Sequence, residues 1–148
     1  MEAGKHPVSE IVRPANDDEA KALLGYLADK LETTPDKLDD GPFEIFAIGR
    51  RGAIMGAVMF SKYANGNIEM TCAGEVGWID RKALRLIYAY PFQQLQCRRV
   101  TARVHAANAV MRSYCTRMGF KPEGVLREAI DGADLHLFGM LRKECKWA

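Results

Sequence analysis

No apolar run in the chain approaches the roughly 20 residues that a bilayer-spanning helix needs. The opening stretch, "MEAGKHPVSEIVRP", lacks the apolar core of a secretory signal. A cytoplasmic protein without membrane contact is the expectation. Cysteine is sparse and scattered. Cys72, Cys97, Cys115 and Cys145 form no C-x-x-C pair, and neither His105 nor His136 offers a ligand spacing beside them. That pattern predicts reduced, mostly buried thiols and argues against a zinc site. A strong charge of one sign is also missing. The formal net charge of +2 is too small to argue for a nucleic-acid partner. Internal repeats, low-complexity segments and linkers are absent.

What remains is the balance of a soluble globular protein, with 48% hydrophobic and 27% charged residues. A length of 148 residues suits one domain, 1–148, with a real core.

Hydrophobic periodicity orders the chain. "EIVRP" reads as a short strand ended by Pro14. "NDDEAKALLGYLADKL" reads as a helix. Asn16 caps it, Glu19 closes a capping box, and Ala20, Leu23, Leu24, Leu27 and Leu31 form its buried face. After the polar connection "TTPDKLDDGP" come two strands, "FEIFAIG" and "AIMGAVMFSKY", joined at Arg50, Arg51 and Gly52. The Asn65–Gly66 turn then leads to "NIEMTCA". The spacing predicts a helix over 81–96, kinked at Pro91. "RRVTARVHA" alternates, with Val100, Ala102 and Val104 on one face and Thr101, Arg103 and His105 on the other. "NAVMRSYCTRMGF" is a helix capped by Asn108 and stopped by Gly119. The last elements form a hairpin turning at Asp131–Gly132. The order is β-α-β-β-β-α-β-α-β-β.

That order, with "NAVMRSYCTRMGFKPEGVLRE" and "DLHLFGMLRKECKW", resembles the GNAT superfamily of acyl-CoA-dependent N-acetyltransferases. The motif N-x₁₀-G-F-x-x-E-G-x-x-R is met by Asn108, Gly119, Phe120, Glu123, Gly124 and Arg127, and a later D-x-x-x-x-x-M by Asp134 and Met140. Within the superfamily, the likeness is to the branch with the ribosomal-protein N-acetyltransferases and to phage- and prophage-encoded relatives. It covers 78–147 well and the first half in element order. The resemblance implies an α/β (α+β) fold whose mixed, mostly antiparallel sheet carries helices on both faces. It also implies acetyl-CoA as co-substrate, an amine acceptor and, since dimers are common for the fold, a homodimer. Glu123 and Arg127 stand where they could pair across a turn.

The family places the pantetheine arm where the fourth strand splays from the fifth, here "NIEMTCA" and "RRVTARVHA". The pyrophosphate lies on the amides of a Q/R-x-x-G-x-G/A loop at the next helix start. An ungapped alignment puts "EVGWID" on that loop. Glu75 replaces the leading Gln or Arg, and Trp78 and Asp80 take the small positions. Asp80 reads as a helix N-cap occupying the place of a phosphate. A shifted loop would use Gly74 and Gly77. Arg81, Lys82 and Arg85 would hold phosphate by side chains, although a solvated helix face explains them equally well. Backbone amides from Met70 through Cys72 to Gly74 are the candidate oxyanion donors, and Asn108 corresponds to the family's Asn near the cofactor.

Acyl transfer also needs a base and an acid. Glu69 is one candidate base, and its alternative is a surface carboxylate. His105 is the other, and its alternative is a structural histidine. The family's acidic tyrosine falls on Cys115, with Tyr114 one residue early and turned by about 100° toward a face with Val110, Met111 and Met118. Three functions follow as expectations. One is an N-acetyltransferase acting by direct attack. Another is a GNAT-fold binding or assembly module, with the "ECKW" tail and the "IYAYPF" helix as partner surfaces. The weakest is a nucleic-acid role for Arg98, Arg99, Arg103, Arg112 and Arg117.

Overall fold

A computed structural model describes residues 8–147. Strand β1 (Glu10–Val12) precedes helix α1 (Asp17–Lys30) and the one-turn helix α2 (Pro35–Leu38). A meander follows, with β2 (Phe43–Arg50), β3 (Ala53–Ala64) and β4 (Asn67–Gly74). Then come α3 (Arg81–Tyr88), β5 (Arg99–His105), α4 (Ala109–Met118), β6 (Lys121–Ile130) and β7 (Ala133–Leu141). The strands form one sheet in the order β1-β2-β3-β4-β5-β7-β6, antiparallel except where β4 meets β5.

The caps act as the sequence predicts. Asn16 accepts from the Glu19 amide and Asn108 from the Met111 amide, each at 3.0 Å. One detail differs, because the Glu19 carboxylate accepts from the Ala15 amide, one residue before the cap. Asn65–Gly66, Arg51–Gly52 and Asp131–Gly132 all have positive φ, as tight hairpin turns require.

Two further details depart from the sequence reading. The polar connection contains α2, started by Pro35 at a position where a missing N–H costs nothing. The expected 81–96 helix is α-helical only to Tyr88. Ala89–Gln94 continues as a π-helical turn around Pro91, with the Leu95 amide bonded to the Tyr90 carbonyl. Proline removes one helical donor, and the wider turn accommodates the loss without ending the helix.

Two cores lie on opposite faces of the sheet. Leu24 and Leu27 of α1 pack on Ile45, Ala57 and Met59. On the other face, α3 and α4 cover a larger core of Phe46, Phe60, Met70, Val100, Phe120 and Met140, among others. Helices thus pack on both faces.

Candidate active site

Strands β4 and β5 pair for only three residues, Asn67↔Arg99, Ile68↔Val100 and Glu69↔Thr101. Beyond that point β4 runs on to Gly74 and β5 to His105. Among the described residues, 70–74 has no strand partner on the β5 side. Backbone polar groups in the middle of a sheet are thereby left facing a gap, an arrangement that favours an occupant able to bond to them.

The gap has different chemistry on its two sides. Met70 and Cys72 point into the core beneath α3 and α4. Glu69 lies on the opposite face, where its carboxylate meets Arg103 at 3.0 Å. A polar chain continues along this face. Thr101 donates to Asn67 at 2.8 Å, Arg99 donates to Thr101 at 3.0 Å, and Arg99 pairs with Glu123 at 2.7 Å. Glu123 therefore pairs with Arg99 across the sheet and not with Arg127. Asp134 accepts from the Glu128 amide at 2.9 Å and holds the irregular end of β6.

The segment between β4 and α3 is built by its own side chains. The indole of Trp78 lies on the backbone of Gly56 and Gly74. A Cβ at Gly74 would come within 2.6 Å of that ring and 2.5 Å of the Met55 carbonyl oxygen. Gly74 thus seats a tryptophan. Gly77 has φ +79° and makes the following turn. The Glu75 amide donates to Met55 and the Trp78 amide to Glu75, so neither is free for a phosphate.

Asp80 caps α3 through the Ala83 amide at 2.7 Å and also accepts from Ser9. Arg50, from the β2–β3 turn, meets Asp80 at 3.1 Å and donates to Ser9 and to the carbonyls of Gly77 and Trp78. Glu75 is held on the other side by Lys30 at 2.7 Å and by the Tyr26 hydroxyl. Those two contacts, Lys30 first, keep its carboxyl below the ordinary 4.5.

Beside this segment a cavity of about 320 Å³ separates the start of α3 from α4. Ile79, Asp80, Arg81 and Leu84 line one side. Tyr114, Arg117 and Met118 line the other, with Trp147 alongside. The Arg117 guanidinium lies 4.5 Å from the Tyr114 ring centroid. Arg81 and Arg117, which have no carboxylate partner among the described residues, bring positive charge, the α3 N-terminus adds its dipole, and Arg50 already compensates Asp80. The cavity is therefore suited to an anion held by side chains and helix end, without a glycine-loop cradle.

Solved structures share this architecture. A chimera of the spermidine N-acetyltransferase SpeG from Vibrio cholerae and hSSAT matches with a TM-score of 0.69 at 17% identity, covering 91% of this chain and 96% of its own. A GCN5-related N-acetyltransferase from Brucella melitensis gives 0.69 at 21% identity, over 95% and 78%. A GNAT-family acetyltransferase from Bacillus anthracis gives 0.68 at 16%, over 95% and 98%. The fold is that of the GNAT acetyltransferases. No family model and no curated protein matches the sequence.

Within the GNAT fold the sequence-predicted residues fall into distinct groups. Glu69, Met70, Cys72 and Gly74 lie along the β4 side of the gap, and Arg81 lines the cavity. Lys82 and Arg85 are exposed on α3 outside the cavity lining. His105 is exposed at the end of β5, and its Nδ1 accepts from the Ala107 amide at 3.0 Å. In the neutral ring the proton is then on Nε2, which leaves no lone pair free. Asn108 spends its side-chain oxygen on the α4 cap.

Cys115 lies wholly inside the core, and burial pushes its thiol up to about 12. Tyr114 is the residue of that pair that faces the cavity, while Val110 is 66% exposed, so the expected Val110–Tyr114 core face does not form. Sequence reasoning missed Arg117, Tyr114 and Trp147 at the cavity, and Arg50 on the segment that leads to it. The Trp147 indole donates to the Met118 carbonyl at 3.0 Å, so the tail packs on α4 instead of standing free. Ile87, Tyr88 and Phe92 of "IYAYPF" are buried as well. No helix among the described residues is long and apolar enough to cross a membrane.

Proposed function

We propose that the protein is an acyl-CoA-dependent N-acyltransferase that moves an acetyl group from acetyl-CoA to an amine by direct attack. The observation that carries this reading is the parting of β4 and β5 after Glu69↔Thr101, beside a cavity carrying Arg81 and Arg117. A long ligand with amide groups fits an unpaired strand edge at one end and a cationic cleft at the other. The GNAT acetyltransferases that share the fold favour the same chemistry.

Bound in this way, acetyl-CoA would supply the thioester. Arg81, Arg117 and the α3 N-terminus would hold its phosphates, and the unpaired amides within 70–74 would face the thioester oxygen. Glu69 is the base this reading selects over His105, because the His105 acceptor nitrogen is already bonded. Arg103 fixes the Glu69 carboxylate at the mouth of the gap. An amine arriving from the Glu69 face would meet the thioester across the sheet.

The test is thiol release from acetyl-CoA in the presence of a panel of amines: polyamines, amino acids, peptide N-termini and amino sugars. Turnover with at least one acceptor is expected. Glu69→Gln should lower kcat by about 10²–10⁴-fold without unfolding the protein. Equal turnover by the variant would remove Glu69 from the reaction.

One group of contacts favours a second reading, a non-catalytic binding module on the same scaffold. Trp78, Asp80 and Arg50 fill the β4–α3 segment with internal contacts. On that reading neither acetyl-CoA nor CoA binds.

A further inference from the structure

The last backbone pair of β4 and β5 is Glu69↔Thr101, and Arg103 stands beyond it on β5, where the strands have parted. Its guanidinium reaches back over the start of the gap to the Glu69 carboxylate at 3.0 Å. The Glu69 side chain is 15% exposed and that of Arg103 is 45% exposed, so the base candidate is sheltered and its partner faces water. A guanidinium carries a fork of N–H donors. Among the described residues Arg103 bonds only Glu69, through Nη2, which leaves Nε and Nη1 free. Other arginines nearby are spent. Arg99 bonds Thr101 and both oxygens of Glu123, and Arg50 bonds Ser9 and the carbonyls of Gly77 and Trp78. The neighbouring carboxylates are spent as well. Glu123 is held by Arg99 at 2.7 Å, and Asp40, close enough to Arg103 to feel its charge, is held by Lys62 at 2.9 Å.

Charge balance decides which amine can approach. Glu69 and Arg103 cancel each other, and an ammonium brought to Glu69 would set a second cation on one sheltered carboxylate. No neighbouring acid is free to balance it. A carboxylate carried by the acceptor itself does so, and the free side of the Arg103 fork is shaped to receive one. Because Glu69 and Arg103 are in contact, the two charges of the acceptor must lie equally close, and those of an α-amino acid sit on one carbon. We infer that the acceptor is a free α-amino acid, with its nitrogen at Glu69 and its carboxylate on Nε and Nη1 of Arg103. This rests on the acyl-CoA reading and adds the substrate class to it. A polyamine would set a further ammonium against Arg103, and a peptide N-terminus offers a neutral carbonyl where the carboxylate is needed. In the transfer the N–C bond forms and the C–S bond breaks, and the electron pair of the broken bond passes to sulfur. Of the two protons lost by the ammonium nitrogen, one leaves through Glu69 to water, and the other ends on sulfur as the CoA thiol.

Titration of the standard L-amino acids, each beside its own carboxamide, into protein saturated with CoA tests the inference. Wild type should bind at least one amino acid about tenfold more tightly than its amide, and Arg103→Gln should bind both at the amide level. Arg103→Lys keeps the charge and loses the fork, and should recover only part of the preference. Melting temperatures of both variants should stay near that of wild type, because Arg103 is open to water. If no amino acid binds the CoA complex, if the amides bind as well as the acids, or if Arg103→Gln keeps the preference, no acceptor carboxylate sits on Arg103 and the inference falls alone. If CoA itself does not bind, the acyl-CoA reading falls and takes this inference with it.

Discussion

Arg50 and Asp80 meet at 3.1 Å, and this pair joins the β2–β3 turn to the first residue before α3. The guanidinium also reaches the carbonyls of Gly77 and Trp78, so one side chain fixes the approach to the helix. The aspartate caps α3 and balances the arginine at once. Asp80→Ala should lower stability by about 2 kcal/mol, combining a lost cap with a lost partner for a mostly buried cation. Asp80→Ser should recover about half of that, because serine caps but does not pair. Urea unfolding of the three proteins measures both values, and equal stability of wild type and Asp80→Ala would refute the role.

Gly74 and Gly77 predict opposite kinds of damage. A methyl group at Gly74 meets the Met55 carbonyl at 2.5 Å and the Gly56 Cα at 2.7 Å, and neither is a flexible side-chain end. Gly74→Ala should therefore cost about 1–3 kcal/mol through overpacking and shift the environment of Trp78. Gly77 has open space around it and only an unfavourable φ. Gly77→Ala should cost about 1 kcal/mol with the tryptophan fluorescence unchanged.

Acid should weaken the contact between α1 and the β4–α3 segment. Lys30 and then Tyr26 hold the folded-state Glu75 carboxyl below 4.5. Between those two values the unfolded chain binds more protons than the folded one. The contribution is therefore complete above the ordinary carboxylate value and is lost as pH falls through the lower, folded one. Melting temperatures from pH 7 to pH 3 should fall more steeply for wild type than for Glu75→Gln. Parallel curves would show that the cluster carries no linked stability.

The thiols should react in a fixed order. Cys72, Cys97 and Cys115 are buried, and burial raises all three pKa values, while Cys145 is partly exposed. Ellman's reagent at pH 8 should modify Cys145 in the native protein and the other three only after unfolding. Rapid native modification of Cys72 or Cys115 would mean that the core beneath β4 opens readily.

Much of this architecture is legible in the sequence because its causes are local. Asn16, Asp80 and Asn108 cap helices through bonds to residues three positions away, and Asn65–Gly66 makes its turn with its own backbone. The two-residue alternation of Val100, Ala102 and Val104 survives folding because one face of β5 is buried. The missed features depend on distant partners. Arg50 reads as an ordinary turn cation until Ser9 and Asp80 stand beside it. Glu123 has Arg127 near in sequence but Arg99 near in space. Trp147 reads as a free tail until Met118 offers a carbonyl. Arg103 reads as one more cation on an alternating strand until Glu69 stands beside it.

The central claim, that the cavity beside the β4–β5 gap takes an acyl-CoA, is tested most directly by calorimetric titration of the folded protein with acetyl-CoA and with CoA. The predicted result is a dissociation constant in the micromolar range. It should weaken with added salt, and it should weaken further on charge reversal at Arg81 and Arg117. Absence of heat at millimolar ligand would contradict the claim and leave Trp78, Asp80 and Arg50 as the closure of a scaffold that binds something else.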